Sequence, residues 1–233
     1  MNLIKVIPPF IIHAFVKPSF YLMMKFFCRL EVHGRENLLK NKKVILAPNH
    51  VNEIDAVITG SAIPLRYLRF LPIFFTSLPG EYYKDRNKFG WRSYLYKEWF
   101  FKVLGSYPIK KNVKNYAQSL EKHIKILQRG YSVLIFPEGK MGNNEEPGEV
   151  HGGVAYVAEA TNSKIIPIQI KGHLKMGFLD FFLRRRKLYV YYGKPVDIKP
   201  LLERRSDQPV EIRYREAVKE MLSNFRDDIS LNN

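Results

Sequence analysis

Apolar residues in this chain gather in short continuous runs, and amphipathic stretches of helical period lie between them. Val44-Ile45-Leu46-Ala47 is one such run, ended by Pro48, and Tyr131-Ser132-Val133-Leu134-Ile135-Phe136 is the longest-patterned. Runs of this length predict strands buried on both faces. Further strands are expected at 30–33, around 68–70, at 107–109, at 165–170 and at 188–192. Pro167 inside the run 165–170 predicts a sheet edge or a bulge, because proline cannot donate to a ladder. Between the strands, residues 113–129 place Tyr116, Leu120, Ile124 and Leu127 on one helical face, and Gly130 supplies a C-cap. Residues 91–104 read as a helix through Leu95, Trp99 and Val103, ended by Gly105. After His50, the spacing of Ile54, Val57 and Ile58 predicts a helix starting near Asn52 or Glu53, with Asn52 as its cap. Residues 154–160 and the segment opened by Pro209, with Tyr214, Val218, Met221, Leu222 and Phe225 on one face, complete the helices. The alternation predicts an α/β fold, a single domain with a mixed, partly parallel central sheet flanked by helices. No repeat or linker marks a second domain, so residues 31–233 are read as one unit.

Residues 1–30 differ from the rest. They carry Lys5, Lys17, Lys25 and Arg29 but no acidic residue, with Phe10, Phe15, Phe20, Tyr21, Phe26 and Phe27 in the gaps. Charges and the prolines at 8, 9 and 18 interrupt the run before it reaches the roughly 18 apolar residues of a spanning helix. No small-residue cleavage site follows it, which argues against a signal peptide. The reading is an N-terminal amphipathic, membrane-associating segment of one or two interfacial helices, the clearer at 19–30. The competing reading is a helix packed on the domain core. The net charge of +16, from 38 basic and 22 acidic residues, favours a polyanionic partner, either nucleic acid or anionic lipid. Basic residues interleaved with large apolar ones favour a lipid surface. The same mixture recurs at residues 177–187, where Phe181, Phe182 and Leu183 precede Arg184-Arg185-Arg186-Lys187, either a second membrane contact or a solvated basic turn. Cys28 is the only cysteine, forms no internal disulfide and sits among apolar neighbours, so a buried thiol in a reducing compartment is expected. These features together predict the cytoplasmic side of a membrane, in peripheral or monotopic attachment. Oligomeric state is left open.

Two strand ends carry the candidate chemistry. His50 directly follows Pro48-Asn49, and Asp55 lies five positions on. On one continuous helix such residues stand about 140° apart. They meet only if His50 precedes the helix and Asp55 lies in its first turn. The carboxylate then fixes the imidazole tautomer, leaving the other ring nitrogen to take a proton from a bound hydroxyl. At the second strand end, Phe136-Pro137-Glu138-Gly139-Lys140 offers a carboxylate, a residue free to adopt positive φ and a cation. Lys110 and Lys111, just past another strand, are further anion-binding candidates. His123 lies within a helix and is read as structural or solvated.

Asn49-His50-Val51-Asn52-Glu53-Ile54-Asp55 resembles the N-H-x-x-x-x-D block of the PlsC-like glycerolipid acyltransferase superfamily, the 1-acyl-sn-glycerol-3-phosphate acyltransferases. Phe136-Pro137-Glu138-Gly139 resembles its F-P-E-G block, in the expected order. Fainter matches are Gly105 to Lys111 for the intermediate block and Ile166-Pro167-Ile168 for the late V-P-V block, so that the resemblance spans residues 30–195. It implies transfer of a fatty acyl group from an acyl-CoA or acyl-carrier-protein thioester to a lysophospholipid hydroxyl, with 1-acyl-sn-glycerol-3-phosphate giving phosphatidic acid as the leading case. His50 is then the general base and Asp55 its orienter, with no acyl-enzyme, no tightly bound cofactor and no metal. Glu138 and Gly139 are implied in acceptor binding, with Lys140, Lys110 and Lys111 beside them. Asn52 stands where serine is frequent, Lys111 where arginine is usual, and Lys140-Met141 where Thr-Arg is common. Lysine does not reproduce the bidentate fork of arginine on phosphate. A different lysolipid or lipid-linked hydroxyl therefore remains an alternative acceptor. His151 stands near the family's Phe-Lys-x-Gly position and either contacts phosphate or caps the following helix.

Three rival functions compete with this reading. A metal-dependent hydrolase would draw on His50, Asp55, Glu138 and His151, though no paired-histidine motif appears. A nucleic-acid module would use the charge, without a zinc, glycine-rich or recognition-helix signature. A non-catalytic membrane scaffold leaves the polar loop residues without a purpose.

Overall fold

The short apolar runs form one sheet. In a computed structural model, which describes residues 7–38, 43–63, 71–94, 96–110, 115–145 and 148–231 without the side chains of 88, 89, 92 and 178, the strands are β1 (Glu31–His33), β2 (Val44–Pro48), β3 (Ile73–Ser77), β4 (Ser106–Pro108), β5 (Ser132–Leu134), β6 (Lys164–Lys171) and β7 (Tyr189–Tyr192). Their order is β1-β7-β6-β2-β5-β3-β4. Every neighbouring pair is parallel except β6 with β7. The helices are α1 (Ile7–Phe27), α2 (Asp55–Ala62), α3 (Arg86–Phe89), α4 (Glu98–Val103), α5 (Tyr116–Ser119), α6 (Glu121–Gln128), α7 (Gly153–Thr161), α8 (Phe178–Phe182), α9 (Lys199–Glu203) and α10 (Val210–Leu231). The expected mixed, partly parallel sheet between helices is what forms.

Strand β2 shows why its run is apolar throughout. Ile45 and Ala47 face a core made with Ile126, Leu127, Val154, Ala158 and Val218, from α6, α7 and α10. Val44 and Leu46 face a second core made with Met24, Ile58 and Ala62, from α1 and α2. Side chains alternate faces along a strand, so helices on both sides require apolar residues at every position.

Several expectations change. The N-terminal segment forms one helix, α1, which runs through Pro18 and is long and apolar enough to cross a membrane by length and composition. Proline removes one intrahelical bond without forcing the chain to turn. Met24 and Cys28 are buried against the domain, while Phe10, Ile11, Phe15, Leu22 and Phe26 stay exposed. Part of the segment is therefore domain core, as the competing reading had it, and part is an open apolar face. Pro167 lies in an interior strand, since β6 pairs with both β2 and β7. It is accommodated because the β7 ladder begins at Ile168, and the Pro167 carbonyl accepts from Gly193 N just beyond that ladder. Helix 113–129 is split between α5 and α6, and 91–104 reduces to a 3-10 turn (Gly90–Tyr94) and α4. The strand expected around 68–70 falls outside the described residues.

Candidate active site

Because β2, β5 and β6 run parallel side by side, the loops after them emerge at one edge of the sheet. Open α/β sheets generally place their ligands at the carboxyl ends of such strands. His50 follows β2, Glu138 follows β5, and His173 follows β6. The residues between His50 and α2 form a tight turn rather than helix, which removes the 140° obstacle. Helix α2 begins at Asp55, so Asn52 does not cap it. Instead the Asn52 side-chain oxygen accepts from Ile54 N at 3.3 Å, while the Asn52 carbonyl accepts from Asp55 N.

Asp55 is fully buried and collects four donors. Its Oδ2 accepts from Val51 N at 2.7 Å and Asn52 N at 2.8 Å, and stands 3.0 Å from His50 Nδ1. Its Oδ1 lies 2.6 Å from His173 Nε2. Burial alone pushes the Asp55 carboxyl up, but the contacts to His173, His50 and Asn52 N outweigh it and hold the group below its ordinary value. With Asp55 ionised, His50 Nδ1 carries the proton. Nε2 is left without a protein partner among the described residues, on a side chain 19% exposed. Phe136 stacks on the imidazole at a centroid distance of 3.8 Å and fixes its plane.

Glu138 is 3% exposed, and its Oε1 accepts from His50 N at 2.9 Å. Its carboxyl is pushed up, chiefly by burial, with N–H groups of His50 and Gly148 opposing. Gly142 N donates to the His50 carbonyl at 2.7 Å, so the loop after β5 holds the His50 peptide from both sides. Gly139 adopts φ +64°, and a Cβ there would come within 2.9 Å of the His151 ring. His151 N donates to the Pro137 carbonyl, and its side chain does not cap α7.

Residues 85–171 match the family model "Acyltransferase". A probable 1-acyl-sn-glycerol-3-phosphate acyltransferase of Mycoplasma pneumoniae is 30% identical over 100 residues, 41% of this chain. That stretch spans 37% of the relative's own length. The crystal structure of a 1-acyl-sn-glycerophosphate acyltransferase, PlsC, from Thermotoga maritima superposes with a TM-score of 0.57. It covers 90% of this chain and 77% of that one at 19% identity, a likeness of fold.

The remaining candidates spread around this centre. Lys140 is exposed on the loop after β5 that carries Phe136-Pro137-Glu138-Gly139. Lys110 follows the edge strand β4, separated from β2 by β3 and β5, and its ammonium pairs with Glu121 Oε2 at 2.9 Å. Lys111 lies outside the described residues. His123 is fully buried with Nε2 3.2 Å from the Tyr107 carbonyl, and burial lowers its pKa to about 4, a structural histidine rather than a solvated one. Cys28 is buried, and burial raises its thiol pKa. Among the described residues no three His, Cys, Asp or Glu side chains are grouped to hold a metal ion.

Sequence reasoning missed His173 and Glu145, and gave Asn49 no role beyond its place in the block. Asn49 Oδ1 accepts from Ile170 N at 2.8 Å while its amide donates to the Ile170 and Glu145 carbonyls, tying the end of β2 to β6. His173 had the signal that exposed His50, a polar residue just past an apolar strand. It went unread because 118 residues separate it from Asp55.

Proposed function

We propose that this protein is an O-acyltransferase that moves a fatty acyl group from an acyl-CoA or acyl-carrier-protein thioester to a lysophospholipid hydroxyl, with 1-acyl-sn-glycerol-3-phosphate as the leading acceptor. The observation that carries this reading is the His50–Asp55 pair at 3.0 Å, with Glu138 bound to the same histidine's backbone. The acceptor hydroxyl gives its proton to His50 Nε2 as its oxygen attacks the thioester carbonyl. The carbon–sulfur bond then breaks, and the departing thiolate takes the proton back from the imidazolium, so that no acyl-enzyme forms. Asp55 keeps Nδ1 protonated and stabilises the imidazolium while it lasts. Glu138 acts on acceptor placement through the loop it fixes, with Gly139 and Lys140 at the surface of that loop. A largely apolar cavity of about 70 Å³ lies between α1 and α2, lined by Val16, Ala56, Val57, Phe75 and Leu134 but also by His13, Lys17 and Ser61, and Ala56 adjoins Asp55. Its position suits an aliphatic chain entering the site.

Membrane attachment is part of the same reading. Phe27 of α1 packs on Phe181 at 4.9 Å and Phe182 at 5.3 Å, and Arg184 lies over the Phe26 ring. The exposed Leu22, Phe26, Leu179, Phe182 and Leu183 together with the basic run 184–187 suit an anionic lipid surface.

The test is thiol release over a panel of lysolipids with both donor types, with the product identified by mass. His50→Ala is expected to abolish turnover while folding and liposome binding persist. Wild-type turnover by that variant sinks the mechanism.

A further inference from the structure

The far side of Asp55 carries a contact that the His50–Asp55 pair does not itself require. Val51 N, Asn52 N and His50 Nδ1 all gather on Oδ2. Among the described residues Oδ1, in a fully buried residue, hydrogen-bonds only with the His173 ring, at 2.6 Å. That ring is itself fully buried, and the backbone on both sides of it is pinned by one carboxylate. Glu145 Oε1 accepts from Gly172 N at 2.7 Å and from Leu174 N at 3.1 Å. Among the described residues His173 Nδ1 makes no hydrogen bond, and it stands 4.0 Å from the same Glu145 oxygen. The imidazole is thus held between pinned backbone groups, and among the described residues its one hydrogen bond is the contact of Nε2 with Asp55.

We infer that His173 is a positioning residue for acyl transfer: it donates Nε2–H to Asp55 Oδ1 and keeps Oδ2 aimed at His50 Nδ1. The inference rests on His50 being the general base. A carboxylate held through one oxygen can swing about its Cβ–Cγ bond, whereas one held through both cannot. Preorganised partners matter most when charge develops on the base, because no reorganisation then has to accompany the proton. His173 touches neither substrate in this reading, so its loss acts on kcat rather than on KM.

The test uses the full chain and two variants of similar size. His173→Gln puts an amide N–H near the position of Nε2–H, and His173→Leu fills the space without a donor. Hydrogen bonds to charged groups predict that His173→Leu lowers kcat about ten- to hundredfold, with KM for donor and acceptor unchanged within about twofold. His173→Gln restores most of kcat. Equal kcat in the two variants, high or low, overturns the inference. A second measurement needs neither turnover nor a folded leucine variant. Nitrogen-15 histidine NMR of the unaltered protein is expected to show a downfield Nε2-bound proton on His173 that moves in Asp55→Asn. A His173 Nε2 without a proton overturns the inference. Because this signal does not depend on acyl transfer, failure to turn over any lysolipid is distinguishable from failure of the positioning role.

Discussion

At the scale of single residues, Asp55 decides what the site can do. It is a buried anion whose hydrogen bonds outweigh its desolvation, and two of its donors are imidazoles. Asp55→Asn presents an N–H where an acceptor is required, so His50 loses its tautomer control. A fall in kcat of about 10²- to 10⁴-fold is expected, by analogy with the Asp-to-Asn change in a serine-protease triad, and is read by thiol release. The same group makes stability depend on pH. Its folded pKa lies below the ordinary 3.8, so its contribution is present above that value and lost as pH falls through the folded pKa. Urea denaturation across the acid range should show stability falling below about pH 4 in the parent and a flatter profile in Asp55→Asn. Equal acid profiles would contradict the depressed pKa.

At the scale of elements, the end of β6 is the critical join. Gly172 has φ +92°, and a Cβ there would lie 1.9 Å from the Lys187 carbonyl oxygen. Neither the backbone angle nor the space admits a side chain. Gly172→Ala is expected to cost at least about 2 kcal/mol in denaturant titration. It should also lower kcat in whatever protein folds, because the displaced turn carries His173 away from Asp55. Full activity in a destabilised variant would separate the turn from the site. Helix α1 is also a join, with one face in the core and one face open. Removing the segment would therefore expose core residues such as Met24 as well as take away the proposed membrane contact, and a sharper test alters only the open face.

At the scale of the whole molecule, the open apolar face and the net charge of +16 act together. Phe15 is 72% exposed and Leu22 65%, so glutamate there leaves the fold nearly unchanged. Burial of such side chains in lipid predicts about a tenfold or larger loss of liposome partitioning for each of Phe15→Glu and Leu22→Glu. Binding of the parent to anionic vesicles should also weaken as salt is raised, and less so on neutral vesicles. Liposome sedimentation reads both effects. Unchanged sedimentation by the double variant would remove α1 from the membrane contact.

Much of this was written in local pattern. The run 44–47, the helix face of Val218, Met221 and Leu222, and the loop residues His50, Asp55 and Glu138 are legible because strand and helix periods, and residue types at strand ends, are properties of neighbouring positions. The sequence therefore determined the α/β class and which strand ends hold the candidate residues. Strand order is not local, and with it went everything that depends on which loops meet. Only the tertiary structure set β6 beside β2, made Pro167 an interior residue, and brought His173 within 2.6 Å of Asp55. The physical reason is that side-chain periodicity records whether a face is buried, whereas the partner that buries it is chosen by packing across the whole sheet.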